Sequence, residues 1–151
     1  MRRRNQRGNA VVEVALMAPW IFFLFLGVFD VGFYCYAAIC TQNAARAVAL
    51  SQAQTSTFNK CTVALWELRT LPNSPPVNGG TCDALPVVVT LTTLNGSACP
   101  DAGLGSATTY AGTTFCVQSA VTYQTIPLLP IPGVLTGRMA LTRTSMMRIL
   151  K

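Results

Sequence analysis

A long apolar stretch that follows a basic N-terminal leader constrains the fold of this chain more than any other feature. The leader, residues 1–8, contains four arginines. Residues 14–29 carry no charged side chain, and the apolar run resumes from residue 31 to residue 39. Together these segments exceed the roughly 20 residues that a helix needs to cross the hydrocarbon core of a bilayer. Apolar side chains on all sides predict a helix surrounded by lipid or by other helices, and Pro19 predicts a kink in it.

The distribution of charge predicts the orientation of this helix. The net charge of the whole chain is +6, whereas residues 9–151 hold seven basic and five acidic side chains, a net charge of +2. Lys and Arg are enriched on the cytoplasmic side of membrane spans. Four arginines precede the span and the next one is Arg46. We therefore expect the N-terminus in the cytoplasm and the residues after the span outside it.

Two features argue against cleavage after the span, as would occur in a secretory signal peptide. The apolar stretch is much longer than the 7–15 residues of a signal-peptide core. The formal Ala-x-Ala site at residues 45–47 lies too far downstream of the apolar stretch. We therefore expect the helix to remain attached as a membrane anchor.

Two carboxylates interrupt the apolar segment, at Glu13 and Asp30. An acidic side chain inside hydrocarbon costs about 2.5–3.5 kcal/mol on insertion scales, so each carboxylate needs a compensating environment. We expect Asp30 to lie near the outer membrane boundary as a solvated residue, with pairing inside a helix bundle as the alternative. Glu13 is either an interfacial acid favoured by the positive end of the helix dipole or a contact between subunits.

The residues directly after the span predict further helix. Alanine-rich sequence favours helix from Thr41 to about Arg69, with an interruption at residues 55–59. The second helical segment is expected at residues 60–71, where Pro72 and the following prolines end it. Its apolar residues suggest one face packed on a sheet.

Three runs of β-branched or alternating residues predict strands, at residues 86–94, 113–126 and 138–149. Residues 126–137, which are rich in proline, are expected to form an exposed excursion between two strands. The predicted fold class is α+β: a long N-terminal transmembrane helix, followed by a helix packed on a small antiparallel sheet. The chain accordingly divides into three parts: a leader (1–8), the transmembrane helix with its extension (9–57), and a small extracytoplasmic domain (58–151).

The six cysteines fall into two groups. Cys35 and Cys40 lie at the outer end of the apolar helix, about 140° apart around its axis, and are expected to be buried free thiols. The others lie in the exported domain, where oxidation is allowed, and are candidates for two disulfides: Cys61, Cys82, Cys99 and Cys116. Sequence leaves three pairings open, and proximity favours Cys61–Cys82 with Cys99–Cys116. A zinc site is the alternative, although the chain has no Cys-x-x-Cys pair and no histidine.

The composition disfavours several classes of function. Histidine, the commonest acid–base group and metal ligand, is absent from the chain. The five acidic residues form no recognisable pair, and no glycine pattern resembles a phosphate-binding loop. The basic residues after the leader are scattered, unlike a nucleic-acid-binding patch. We therefore expect no enzyme activity, cofactor, metal or small-molecule substrate, and no nucleic-acid partner.

Three segments of the chain carry a family resemblance. The first is residues 7–19, Arg-Gly-Asn-Ala-Val-Val-Glu-Val-Ala-Leu-Met-Ala-Pro, and the second is residues 41–47, Thr-Gln-Asn-Ala-Ala-Arg-Ala. The third combines residues 123–130 with residues 141–148. In this order they resemble the start, the helix after the span and the C-terminal strands of TadE-like pilus proteins. Residues 51–114 carry no such resemblance.

The resemblance implies a minor pilin-like component of a tight-adherence, Flp-type pilus and secretion system. Gly8 directly precedes Asn9, and Glu13 is the fifth residue counted from Asn9, which is similar to the processing signal of type IV pilin-like precursors. This resemblance to a processing signal implies that a prepilin peptidase cleaves between Gly8 and Asn9. Glu13 would then be an assembly residue that attracts the new α-ammonium of its own or a neighbouring helix. Val14 follows Glu13 where Flp-type sites often have tyrosine.

We therefore expect a pilin-like structural subunit that is anchored and packed through its N-terminal helix. The expected location is the bacterial inner membrane, with a single span and the C-terminal domain in the periplasm or outside the cell. The expected partners are the membrane, other pilin-like subunits, pilus assembly proteins and the prepilin peptidase. The alternative is an uncleaved single-pass inner-membrane protein that binds another assembly component through its exported domain.

Overall fold

The fold is α+β, with two helices followed by a small antiparallel sheet. The computed structural model describes residues 7–54, 58–95, 115–126 and 138–149. The chain divides into two compact units, Met1–Cys35 and Tyr36–Lys151. The first helix contributes to both units, and the second helix and the sheet belong to the second unit.

The helix α1 spans Arg7–Gln54, a length of 48 residues. It continues through Pro19, where the missing N–H leaves the carbonyl of Ala15 without its intrahelical donor. The helix therefore tolerates the proline, while the kink predicted there stays a prediction. The interruption predicted after α1 begins at residue 55, and residues 55–57 lie outside the described residues.

The part of α1 in the first unit exposes bulky apolar side chains on all of its sides. Trp20 is 72% exposed, and the side chains before and after it are exposed to a similar degree. Among the described residues, α1 is the one helix that is long and apolar enough to cross a membrane, and an 18-residue stretch of it has a mean hydropathy of 2.2. A surface of this kind is stable only against lipid or other apolar helices.

The helix α2 spans Lys60–Leu68 and starts at a side-chain cap. The Asn59 side-chain oxygen accepts a hydrogen bond from the Cys61 N–H at 2.9 Å, which satisfies one of the donors left free at the helix start. The helix ends three residues before the predicted boundary at Leu71. Pro72 disfavours helical geometry at Leu71, and the Leu71 N–H instead donates to the Leu68 carbonyl at 2.9 Å.

Four strands form one sheet in which each strand pairs with the next one along the chain. All the pairs are antiparallel. The three longer strands correspond to the three predicted runs: β2 is Val87–Asn95, β3 is Phe115–Gln124 and β4 is Ala140–Ile149. Strand β1, Asp83–Ala84, has only two residues, too few to produce a recognisable period in the sequence.

The hydrophobic core of the second unit lies between the two helices and one face of the sheet. Strands β2 and β3 supply alternate buried residues to this face, and α2 adds Leu65 and Leu68. The contribution of α1 consists mainly of small side chains: Ala37, Ala44, Ala45 and Val48. Small side chains allow the backbone of α1 to approach the sheet closely.

One buried hydrogen bond shows how close that approach is. The Ser119 hydroxyl, at the middle of β3, donates to the Ala45 carbonyl of α1 at 2.6 Å. Both residues are fully buried. A buried hydroxyl without a partner would cost about 1–3 kcal/mol, so the contact fixes the position of α1 along β3.

We expect Ser119→Ala to lower the free energy of unfolding by about 1 kcal/mol, because it removes a buried hydrogen bond without changing the strand. The measurement is urea unfolding of the full chain in detergent micelles. The control is Thr90→Ala, which removes an exposed hydroxyl that donates to the Ala120 carbonyl at 3.4 Å. Equal losses in the two variants would contradict the role assigned to Ser119.

Candidate functional site

The predicted processing site, between Gly8 and Asn9, lies within the described part of α1. Since the helix begins at Arg7, the bond between Gly8 and Asn9 is within the helix and not in an extended leader. Residues 1–6 of the predicted leader lie outside the described residues.

Glu13 lies on α1 as an exposed side chain. It makes no hydrogen bond or ion pair with any residue that the structure describes. Glu13 is the seventh residue of a helix that begins at Arg7, whereas the favourable effect of the helix dipole on an acid fades beyond the first turn. The dipole therefore compensates this carboxylate poorly in the uncleaved chain.

An open apolar groove runs along the helix face that begins at Glu13. Its volume is about 640 Å³, and its lining residues recur at the spacing of one helix face: Glu13, Val14, Met17, Ala18, Ile21, Phe22 and Phe25. Glu13 is the only charged residue among them. The groove therefore suits another apolar helix that brings a positive charge to the level of Glu13.

Asp30 is buried, with 3% of its surface exposed. Its Oδ2 atom has no hydrogen-bond partner among the described residues. The expectation of a solvated boundary residue is therefore wrong. The position of a residue along the span predicts its depth in the membrane but not the side of the helix on which it lies.

The two cysteines of α1 are free thiols. Cys40 is half-buried and packs against the core, whereas Cys35 is exposed. Burial was predicted for both, and for Cys35 this is wrong. A separation of about 140° around the helix places the two thiols on different sides of it, and only the side of Cys40 contacts the core.

A disulfide joins Cys61 of α2 to Cys82 just before β1, with a Cα–Cα distance of 5.5 Å. This is the pairing that proximity along the chain favours. Cys116 in β3 is also disulfide-bonded, and its predicted partner, Cys99, lies outside the described residues. Bonded cysteines have no thiolate to offer a metal, and the described residues contain no cluster of three metal-binding side chains.

Tyr123 connects three parts of the second unit, although sequence alone indicates only a strand residue. It is fully buried in β3, and its hydroxyl donates to the Pro72 carbonyl after α2. Burial raises the pKa of the Tyr123 phenol above its ordinary value, and the nearby Cys40 thiol of α1 raises it further. The only sequence signal was the alternation of β3, which places Tyr123 on the same face as Ser119 and Val121.

The comparisons with known proteins concern the same helix. The model of the TadE-like protein family matches residues 8–50, which is under a third of the chain. The resemblance seen at residues 7–19 and 41–47 is therefore confirmed, and this N-terminal segment is TadE-like. The C-terminal resemblance lies outside the match. No match was found among curated proteins or among solved structures.

We expect replacement of Cys61 and Cys82 together by serine to destabilise the second unit by about 3 kcal/mol. The disulfide closes a loop between residues 21 apart, and loops of this size confer roughly that much stability by restricting the unfolded chain. Thermal unfolding of the full chain in detergent would measure the loss. Cys35→Ser, which alters an exposed free thiol, should leave the melting temperature unchanged, and an equal decrease there would contradict the assignment.

We expect Tyr123→Phe to lower the free energy of unfolding by about 1–2 kcal/mol at pH 8, because the part-buried hydrogen bond to the Pro72 carbonyl is lost. The raised pKa of Tyr123 also predicts a dependence of stability on pH. The protonated phenol contributes stability below about pH 10, and this contribution is lost as the pH rises through the pKa of the folded state. Stability should therefore fall less steeply between pH 9 and pH 11 in the variant than in the wild type.

Urea unfolding at several pH values would measure both effects of Tyr123→Phe. The matched control is Tyr36→Phe, which removes an exposed hydroxyl that bonds the Thr70 hydroxyl at 2.9 Å. This control should cost less and keep the alkaline decrease in stability. An unchanged alkaline decrease in Tyr123→Phe would show that other groups cause it.

Proposed function

We propose that this chain is a pilin-like structural subunit of a tight-adherence, Flp-type pilus or secretion assembly, anchored and packed through α1. The observation that carries the proposal is Glu13: a carboxylate without a partner among the described residues, at one end of an apolar groove. It lies within the TadE-like segment, residues 8–50. The TadE-like family is structural and pilus-associated, which supports this class of function over catalysis.

The apolar surface of α1 supports a role in packing. Burial of apolar surface contributes about 25 cal/mol per Å², or about 1.5–3 kcal/mol for each large side chain. Phe22, Phe23 and Phe25 are each at least 60% exposed, so this part of the helix gains stability only from lipid or from neighbouring helices. A bilayer would hold the chain before assembly, and a bundle of similar helices would hold it afterwards.

The carboxylate gives such a bundle a specific register. Glu13 costs about 2.5–3.5 kcal/mol in hydrocarbon when alone. A unit positive charge about 4 Å away returns about 4 kcal/mol at an effective dielectric constant near 20. Pairing with an α-ammonium group therefore offsets the cost of the carboxylate, and it favours the one axial position at which the two charges meet.

Cleavage between Gly8 and Asn9 would supply that ammonium. Asn9 and Glu13 are one helical turn apart, a rise of about 6 Å, so the new charge lies near Glu13 of its own helix or of an adjacent one. The Gly8–Asn9 bond lies within α1, so the helix must open there before a peptidase can bind it. Gly8 allows close approach of the peptidase because it has no side chain.

The proposed topology follows from the arginines that precede the span. Four of them lie in residues 1–8, which supports a cytoplasmic N-terminus, and the prepilin peptidase would then act on that side. The second unit then lies in the periplasm or at the cell surface, an environment that agrees with its disulfides.

A second candidate function retains the membrane anchor without filament assembly. In this reading the chain stays uncleaved in the inner membrane and binds another assembly component through its second unit. The helical conformation of the Gly8–Asn9 bond favours this reading, because peptidases bind extended chains.

We expect Glu13→Gln to reduce incorporation into sheared surface filaments at least tenfold while membrane insertion is unchanged, because the amide keeps its shape and loses its charge. Immunoblots of filament and membrane fractions would measure both quantities. The matched control is Glu67→Gln, which neutralises an exposed acid on α2 and should leave incorporation intact.

Mass spectrometry of the purified protein would separate the two candidate functions. A chain that begins at Asn9 and appears in filaments supports the pilin-like subunit. A chain that begins at Met1 and remains wholly in the membrane fraction supports the envelope protein. Normal incorporation of Glu13→Gln into filaments would contradict the charge-pairing mechanism, whichever N-terminus mass spectrometry finds.

A further inference from the structure

The two edges of the sheet differ in how their backbone groups are used. At the β1 edge the added strand has only two residues, and Val89 of β2 has both backbone groups engaged there. Its N–H donates to the Cys82 carbonyl at 2.9 Å, and its carbonyl accepts from the Lys60 ammonium at 3.2 Å. A short strand and a lysine are typical devices for blocking an edge.

The opposite edge, β4, is neither short nor, among the described residues, covered by a lysine that bonds its backbone. It contains ten residues and pairs one-to-one with β3 without a bulge. Residues 138–149 contain no proline, no glycine and no acidic side chain. A long regular edge strand is a template for pairing with another extended chain.

The register shows which backbone groups of β4 face outwards. The Thr125 N–H donates to the Met139 carbonyl at 2.9 Å, so the odd-numbered residues of β4 exchange hydrogen bonds with β3. The even-numbered residues therefore direct their N–H and C=O groups away from the sheet. For Thr142, Thr144 and Met146, no described residue bonds these outward backbone groups.

The charge along this edge has one sign. Arg138, Arg143 and Arg148 are exposed, and residues 138–149 include no acidic side chain. The outward backbone groups of β4 can bond any extended chain. Arginines at the edge repel a basic strand and attract an acidic one, so they add a preference for acidic chains.

We propose that the outer edge of β4 is a docking surface for an extended acidic segment of another protein, which adds to the sheet as a fifth strand. The outward backbone groups of Thr142, Thr144 and Met146 supply main-chain hydrogen bonds, the usual source of affinity in strand addition. Arg143 supplies the preference for acidic side chains.

A second copy of this chain fits the edge poorly. Pairing of two β4 strands would be antiparallel about a two-fold axis normal to the sheet, and it would bring two basic strands together.

The docking surface rests on the sheet and not on Glu13. Loss of strand addition would leave the charge pairing of α1 intact, and the reverse also holds. The inference gives the second unit a partner of stated chemistry in either candidate function.

The test uses the full chain in detergent micelles and two synthetic ten-residue peptides. One peptide alternates Glu with Val and Thr, and the other has Lys in place of every Glu. We expect the acidic peptide to bind at least tenfold more tightly than the basic one in fluorescence anisotropy. The amide NMR signals of Thr142, Thr144 and Met146 should shift on binding more than those of residues 87–94.

Thr144→Pro is the diagnostic variant. It removes an outward N–H without removing a ladder bond to β3, and edge strands accept proline at such positions. We expect binding of the acidic peptide to weaken at least tenfold, whereas Thr144→Val, which keeps the N–H, should stay within threefold. If Thr144→Pro fails to fold, Arg143→Glu serves instead and should narrow or reverse the preference between the two peptides.

Three results would overturn the proposal. Equal affinity for the acidic and basic peptides would remove the charge selection, and so would an absence of binding. Binding unaffected by Thr144→Pro in a folded protein would exclude strand addition at this edge. Strong hydrogen-exchange protection of the Thr142, Thr144 and Met146 amides in the free protein would show that another part of the chain, or a second copy, already covers it.

Discussion

The close approach of α1 to the sheet is the constraint on which the second unit depends. Alanines at positions 37, 44 and 45 are fully buried, and they allow the Ser119 hydroxyl to reach the helix backbone at Ala45. Larger side chains at these positions would separate the helix from β3 and leave that hydroxyl without its partner. In the first unit the same helix exposes large apolar residues instead. Contact with lipid or with neighbouring helices stabilises a helix in proportion to the apolar area it buries, whereas packing on a sheet requires a close fit.

Much of this fold could be predicted because its patterns are long. The three longer strands and both helices lie where propensity and alternation place them, since nine or ten residues give a clear period. The two-residue β1 gives none, and it exists because Cys82 and Asp83 lie beside β2. Tyr123 was missed for a related reason: its environment comes from residues distant in the sequence, such as Pro72 and Cys40.

The candidate site also has one part that sequence predicts and one part that only the structure reveals. Glu13, Gly8 and Asn9 are recognised by their spacing, since the proposed chemistry takes place within two turns of one helix. The strand edge required the register of β3 and β4, which shows that even-numbered residues of β4 point their backbone groups outwards. Composition indicates the arginine at position 143 but not that it lies between outward backbone groups, so the sequence shows only scattered charge there.

The two surfaces solve different problems of recognition. An apolar helix packs against many partners with similar energy, because dispersion and lipid exclusion depend little on sequence. In the proposed assembly, Glu13 would restrict this choice to arrangements that bring a positive charge to its level. A strand edge likewise accepts many extended chains, and at the proposed docking surface Arg143 of β4 would favour acidic ones. In both proposals a few charges make a non-specific source of affinity selective, which would allow a chain with only 11% charged residues to distinguish its partners.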